Sequence, residues 1–338
     1  MPVDAPARGR APNAAGLGVL AVVLGALVVL SVGVGAKFYA PLEVWDALWH
    51  PGSSYAADVI HELRLPRTLL ALMVGASLGL AGALMQALTG NPLADPGILG
   101  VNAGASAAVV LAVGAGISAY AGYVWFALAG AFIAAAVVYL IGRTGGGRSS
   151  PVRLVLAGAA IGACLTGFVA AVSALDAATF DHLRFWTIGS LAGHAPHVLA
   201  GMVPFAFGGI AIALTLSRSL NAVALGDDTA RALGVRLTRT RILSLLAVTL
   251  MCGSATAAAG PIGFVGLVIP LIVRSFTGPD QRWIIPYSML LAPCLLLAAD
   301  IAGRVVLPDG ELEVGAVTAL LGAPVFIAMV RRGKVPRL

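Results

Sequence analysis

Apolar residues in this chain come in long blocks, with polar residues gathered between them. Ten blocks stand out, at roughly 17–36, 68–88, 98–116, 120–142, 153–175, 197–217, 241–258, 262–275, 285–303 and 315–331. A stretch of about 20 apolar residues is what a helix needs to cross a bilayer. The pattern therefore predicts an all-α integral membrane protein of about ten transmembrane helices. Only Ala259, Gly260 and Pro261 separate the seventh block from the eighth, so the pair also reads as one broken segment. Arg8 and Arg10 precede the first block and "VGA" follows it, as around a signal peptide. The block is longer than the usual signal core of about 7–15 residues, which favours an uncleaved helix.

Composition agrees with the pattern. The 338 residues are 59% hydrophobic and 11% charged, with a mean hydropathy of +0.96. An ordinary soluble core does not need that balance. The predicted organisation is a cytoplasmic tail over 1–16, a single transmembrane domain over 17–332 and a second cytoplasmic tail over 333–338. With both ends inside, 16 of the 21 basic residues fall in cytoplasmic segments, leaving Lys37, Arg64, Arg67, Arg184 and Arg304 outside. That is the sense of the positive-inside rule, and it fits an even number of spans. The net charge of +6 is thus mostly topology and does not point to nucleic acid.

Candidate chemistry is sparse. Cys164, Cys252 and Cys294 lie inside spans with no metal-ligand spacing and read as small buried residues. His50, His61, His182, His194 and His197 sit in outer loops or at span ends, without a tight metal spacing. No metal site is expected. Ionisable groups are nearly absent from the spans; Asp300, beside Arg304 near an outer end, is the main candidate. A proton-coupled carrier would keep acids or arginines at mid-membrane. The chain has no GxxxxGK[ST] loop, so any ATP would be hydrolysed by another polypeptide. Gly75, Gly79 and Gly82 or Ala83, ending at Gln86, form a small-residue stripe, as do Gly158 and Gly162; such stripes let helices pack closely in lipid.

Four stretches carry more than span formation needs. In "RLPR", Arg64 and Arg67 flank Pro66 at the outer mouth of the second span. They read either as a docking point for acidic groups of a partner or as arginines anchoring a helix end. The following "TGNPLADPGILGVN", Thr89 to Asn102, breaks two apolar runs with Pro92 and Pro96, which cannot continue a helix. Gly90, Asn91 and Gly97 supply turn geometry, and Asn102 and Ser106 add polar groups beside the next helix. The inner loop "GRTGGGRSSPVR" reads by itself as a flexible connector. "ALGDDTARALGV" predicts a two-turn cytoplasmic helix, with Asp227 as its cap, Asp228 at its positive end and Gly234 as its terminator. A short capped helix is a natural knob for another protein's groove, the alternative being an ordinary ordered loop. Finally, "GPIGFVGLVIPLIVR" carries Pro270 inside a span, with Gly263 and Gly266 loosening its start. Broken helices are tolerated in membranes where they face protein or a cavity.

Taken together, "RLPR", "GNPLADPGILGVNAGA", "WTIGSL", "ALGDDTARALGV", "GPIGFVGLVIPLIVR" and "VGAVTALLGAP" resemble, in order and over about residues 17–332, the FecCD-like permease subunits of bacterial ABC importers for ferric siderophores, haem and vitamin B12. The resemblance implies a type II ABC importer permease fold that alternates access between the two sides. It implies a second permease copy or paralogue, two separate ATPase subunits holding ATP and Mg, and an extracytoplasmic binding protein that delivers a metal chelate. No cofactor is implied in this chain, which is not an enzyme. Asp227, Asp228, Thr229, Ala230, Arg231, Ala232, Leu233 and Gly234 match the family's coupling helix. Arg64, Arg67 and Arg304 resemble arginines that pair with acids of the binding protein. Ser149, Ser150, Pro151 and Val152 resemble the cytoplasmic gate. Asn91, Pro92, Asp95, Pro96 and Asn102 fall in a shaped corner close to the pathway. Two departures are plain: Leu271 stands where the family often has His, and Glu313 where it often has Pro after Glu311 and Leu312.

The sequence thus leads to a multi-pass permease of the bacterial cell membrane, with ferric siderophores the commonest cargo in such a family. Haem or vitamin B12 import is the alternative within the class. A secondary transporter driven by an ion gradient would carry acids within its spans, and a purely structural scaffold would not need the capped inner helix.

Overall fold

A segment crossing hydrocarbon must satisfy its own backbone hydrogen bonds, so the apolar blocks can fold only as helices. The computed structural model describes residues 14–331 apart from 36, 53, 118, 144–150, 176–185, 193–195 and 308–309, and among the described residues there is no strand. The helices are α1 (Ala14–Gly33), α2 (Pro41–Trp49), α3 (Tyr55–Thr89), α4 (Val101–Gly114), α5 (Tyr120–Arg143) and α6 (Pro151–Leu175). After them come α7 (Pro196–Ala224), α8 (Asp227–Ala232), α9 (Leu237–Ala259), α10 (Val265–Thr277), α11 (Gln281–Val306) and α12 (Val314–Arg331).

Each of the ten apolar blocks has its helix. Among the described residues, seven helices are long and apolar enough to cross a membrane, and α4, α10 and α12 supply three shorter apolar ones. The seventh and eighth blocks are two separate helices, α9 and α10, joined by a corner over 260–264. Residues 37–64, left between spans by hydropathy, are largely helical. They form α2 and the first turns of α3, where Val59–Arg64 is wound as a π-helix. Pro66 explains that widened turn: it lacks the N–H that a regular helix would use there, and its ring crowds the preceding carbonyls.

α3 is the centre of the bundle. It packs along α11 and, on its other sides, against α9, α7 and α10. The glycine stripe makes this possible. A Cβ on Gly75 would lie 2.6 Å from the Cα of Pro293, and one on Gly79 would lie 2.7 Å from the carbonyl oxygen of Ser288. A Cβ on Gly82 would meet the backbone of Gly266 on α10 more closely still. Gln86, at the end of the stripe, is fully buried and donates to the carbonyl of Leu267 at 3.1 Å. Any side chain at these glycines would push α3 off its neighbours, and packing is what holds helices together in lipid.

The second stripe behaves differently. A Cβ on Gly162 would meet nothing within 4 Å, and Leu156, Phe168 and Leu175 on the same helix are exposed. α6 touches α4, α5 and the 3-10 turn Pro96–Leu99, and much of its remaining surface is uncovered among the described residues. Cys164 lies on this helix and is exposed, unlike the buried Cys252 and Cys294. Expecting all three cysteines to be buried therefore fails at Cys164, because it sits on a helix this chain alone does not enclose.

Candidate functional site

At the end of the bundle that the charge pattern predicts to face outward, called the outer end below, three arginines are turned into the protein. α1 ends at Gly33, and the last carbonyls of any helix lack intrahelical donors. Arg64 donates to the carbonyls of Val32 at 2.8 Å and Gly33 at 2.7 Å, and also to that of Lys37. Its guanidinium lies over the Tyr39 ring, 4.7 Å from the centroid. Arg304 donates to the carbonyls of Ser31 at 2.9 Å and Val34 at 3.1 Å, and to the Ser31 hydroxyl at 2.7 Å. Cations at the carbonyl end of α1 also suit its dipole. Asp300, 1% exposed, binds Arg304 at 2.7 Å through one oxygen and Arg67 at 2.8 and 2.9 Å through the other. Arg67 completes the knot with Glu311 at 2.6 Å.

The two sequence readings of Arg64 and Arg67, docking point or lipid anchor, thus meet a third arrangement. Arg64 and Arg304 are 7% and 5% exposed and fasten the first span to α3 and α11. Of the three cations, Arg67 shares its charge with an exposed partner, the half-open Glu311. Three guanidiniums against two carboxylates leave the knot with one net positive charge. The departure from the family pattern at Glu311 to Glu313 falls on this rim.

Beside the knot lies an outer seam that sequence reasoning marked only by its motif. Trp186–Ile188 forms a short 3-10 turn, and Trp186 donates from its indole to the carbonyl of Ala257 at 3.3 Å. Ser190 donates to Ala259 at 2.8 Å, and Gly315 donates to Gly189 at 2.9 Å. The segment therefore ties the end of α9 to the start of α12. The corner beneath it holds Phe264 at φ 66°, the one non-glycine residue with positive φ among those described. A bulky side chain in that region carries strain, which persists only where the surroundings impose it. Here Gly322 on α12 supplies the space, since a Cβ there would lie 2.6 Å from that of Phe264.

From the opposite end, predicted to be the inner one, the stretch from Thr89 to Asn102 runs back into the bundle as a sequence of caps. Gly90 leaves α3 in the left-handed region at φ 61°. The Asn91 side chain accepts from Leu93 N–H at 2.9 Å. Pro92 and Pro96 withhold N–H groups on either side of a turn. Asp95 accepts from Gly97 N–H at 2.7 Å and caps the 3-10 turn Pro96–Leu99. Asn102, one residue into α4, accepts from the Thr256 hydroxyl on α9 at 3.2 Å. Asp95 lies deep in the protein while keeping some contact with solvent, and burial pushes its carboxyl up to about 6 against the opposing Gly97 hydrogen bond.

α8 is the exposed counterpart of the outer knot. Asp227 is its first helical residue; the capping position is Gly226 at φ 100°, with no side-chain cap. This corrects the expectation that Asp227 caps the helix. Its carboxylate instead takes both of its contacts from Arg241 on α9, at 2.9 Å each. The reason is position: a residue already in helical conformation cannot fold its side chain back onto the first turn as a capping residue does. Gly234 ends the helix at φ 79°, with Val235 N–H on the Ala230 carbonyl and Gly234 N–H on that of Arg231. That pair of bonds is the glycine-terminated Schellman arrangement. A small cluster of Ala222, Ala230 and Leu237, flanked by Val223 and Val235, seats the helix on the ends of α7 and α9. Leu225 and Leu233 are left 65% and 62% exposed, and Arg231 pairs with Asp228 in the open.

Nearby, Asn221 and the start of α11 exchange bonds, Asn221 to the Asp280 carboxylate at 2.6 Å and Gln281 N–H to the Asn221 oxygen at 2.8 Å. Nothing in the sequence pattern singled these out, since one polar residue at a helix end has no periodic signature. A cleft of about 1420 Å³ opens beside α8, its wall including Thr89, Tyr139, Arg236 and Gln281. Of the gate candidates, Pro151 and Val152 form the first turn of α6, while Ser149 and Ser150 lie outside the described residues. Among the described residues, no group of three or more His, Cys, Asp or Glu side chains is placed to hold a metal.

Comparison with known proteins bears on this arrangement. The model of the FecCD transport family matches residues 22–332. The ferric enterobactin transport system permease protein FepD of Escherichia coli (strain K12) is 49% identical over 90% of this chain and 91% of its own length. The Fe(3+)-citrate import system permease protein YfmD of Bacillus subtilis (strain 168) is 40% identical over 90% and 91%. A solved metal-chelate type ABC transporter in an inward-facing conformation superposes with a TM-score of 0.83 at 28% identity, covering 95% of this chain and all of that one.

Proposed function

The chain belongs to the FecCD transport family, and from that membership we propose that it forms half of the membrane pathway of an ATP-driven importer for ferric siderophores. The relatives named above are permease subunits, and this chain is one in the same sense. In the proposed assembly a second permease copy or paralogue covers the open face of α6. Two ATPase subunits, carrying ATP and Mg, sit beneath on the cytoplasmic side, where both termini lie. An extracytoplasmic binding protein delivers the chelate at the outer face of the bacterial cell membrane.

The observation that carries the reading is α8. A six-residue helix is too short to be stable alone. Here it is held in place by a Schellman turn, the Asp227–Arg241 pair and a three-residue core, while Leu225, Arg231 and Leu233 project outward. That is the build of an element that is pushed by a partner and must pass the push on. Through Arg241 and Leu237 the displacement reaches α9, and α9 packs on α3, α5 and α7. ATP-driven movement of α8 would thereby tilt the central helices and alternate access. Ser149, Ser150, Pro151 and Val152 would close the cytoplasmic side, and the corner from Asn91 to Asn102 would hold α3, α4 and α9 in register.

At the outer face, docking would use the single surplus positive charge of the knot, with Arg67 offering it to acidic groups and Arg64 and Arg304 holding the helix ends that present it. The scarcity of ionisable groups within the spans suits a wide path that a bulky chelate must leave.

The test is uptake of labelled ferric siderophores, haem and cobalamin, in parallel, by energised cells with and without this chain. ATP-dependent loss of ferric siderophore uptake alone is expected. Loss confined to haem or cobalamin would reassign the cargo, and uptake that survives ATP depletion but collapses with the ion gradient would overturn the ATP-driven reading.

A further inference from the structure

The first helix after α1 has three distinct faces, and one of them is unexplained by the bundle. At about 100° per residue, Leu42, Trp45 and Trp49 fall within roughly 60° of one another around α2. Glu43 and Asp46 share a second face, and Val44, Ala47 and Leu48 a third. The third face is packed: Val44 and Ala47 join Val32, Tyr39, Ala57 and Ile60 in a separate small core, with Leu48 against it. His61 bonds the Ala47 carbonyl at 3.0 Å and holds the helix to the first turns of α3. The acidic face is wet. Glu43 accepts from the Ala40 N–H at 2.9 Å, and Asp46 pairs in the open with His50 at 3.0 Å.

The first face is apolar and bare. Leu42 is 83% exposed, Trp45 64% and Trp49 66%, with the two indoles edge to face at 5.7 Å. Phe38, just before the helix, and Tyr55, just after it, are exposed as well. These residues sit level with the outer ends of the spans, because α2 is tied to the end of α1 and to the Val59–Arg64 turn. In the membrane-spanning reading α1, to whose end α2 is tied, has its own uncovered face of Val22, Val29 and Leu30 to set against lipid.

We propose that α2 is an interfacial helix, lying in the headgroup region of the outer leaflet with Leu42, Trp45 and Trp49 turned into the acyl boundary. Its occupant is the bilayer itself. Indole rings favour that level of a membrane, and a helix with one apolar and one charged face lies flat in it. Lys37, over the Tyr39 ring at 5.4 Å, stands at the same level for lipid phosphate. The helix would then hold the outer ends of α1 and α3 at fixed depth while the inner helices move. The inference needs the membrane-spanning reading but is independent of the cargo and of the ATPase.

The test uses the full chain in proteoliposomes, with Cys164→Ser and a nitroxide placed in turn at 42, 45, 46 and 49. Because these side chains are exposed, labelling leaves the packed face intact, and a melting curve checks that. Collisions with dissolved oxygen and with a water-soluble nickel chelate are measured at each site. Labels at 42, 45 and 49 are expected to meet oxygen several-fold more often than the label at 46, with the order reversed for nickel. Nickel access as high at 45 and 49 as at 46 would overturn the proposal. So would protection from both collision partners, which would place a protein surface on that face.

Discussion

The two ends of this helical bundle use charge in opposite ways. At the outer end, Arg64, Arg67, Arg304 and Asp300 are drawn together across α1, α3 and α11, and most of their donors end on buried acceptors of the same chain. At the inner end, Asp228 and Arg231 stand in solvent on a six-residue helix with a leucine exposed on either side. The first arrangement is satisfied from within. The second is held from within only along one face, by Ala230 and by Asp227 on Arg241. The contrast separates residues that keep the bundle assembled from residues left available to something else. Charge type and position relative to a span do not separate them.

The sharpest break of the comparison is at Asp300. Asp300→Ala would leave Arg67 and Arg304 without their shared carboxylate in a buried site, a loss of about 3–5 kcal/mol. A large fall in the melting temperature of the purified chain in detergent checks this; an unchanged melt would show that the outer knot is not what fastens α1.

A smaller effect belongs to the inner helix. Gly234→Ala places a Cβ on a residue at φ 79° and costs about 1–2 kcal/mol locally. The expected outcome is faster hydrogen exchange confined to Asp227–Ala232, with the global melt hardly moved. Global destabilisation would mean that α8 is built into the core after all.

Glu311→Gln sharpens the outer side. It removes the exposed carboxylate from Arg67 and raises the surplus charge of the knot without touching Asp300. Docking of the binding protein should then quicken at low salt and return to the parent rate at high salt, where charges are screened. Equal rates at every ionic strength would leave the knot a purely internal device.

The smallest effect concerns Asp95. Its carboxyl is held up at about 6, above the roughly 3.9 of an unfolded aspartate. The folded state therefore binds the proton more tightly. Its stabilisation by that proton is fullest near pH 4 and declines as pH rises to about 6. Asp95→Asn should flatten the stability profile in that window and leave the Gly97 bond in place. A profile unchanged by the substitution would contradict the shift.

Among the described residues hydropathy alone located a helix for each apolar block, because in lipid each crossing segment must carry its own hydrophobic run and its own hydrogen bonds. The Gly75–Gly82 stripe and the Gly234 terminator were legible for a similar reason: one residue type suits that backbone approach or that φ. What was not legible depends on partners far apart in the chain. Arg64 and Arg304 read as outward charges until the carbonyls of Ser31 to Val34 are brought beside them. The Asn221 clamp and the Trp186–Ser190 seam have no local pattern at all. α2 escaped hydropathy because its apolar residues are interleaved with Glu43 and Asp46, so that its mean is unremarkable while its faces are distinct.

The most direct test of the contrast joins two readings on one preparation. The chain carrying Arg231→Glu and Leu233→Ser is purified beside the parent, and its melting temperature is recorded together with the ATPase subunit and ATP hydrolysis that it retains. An inner helix built for a partner predicts a melt matching the parent, with retained ATPase greatly reduced. Retention equal to the parent, or a melt that collapses with it, would contradict the account.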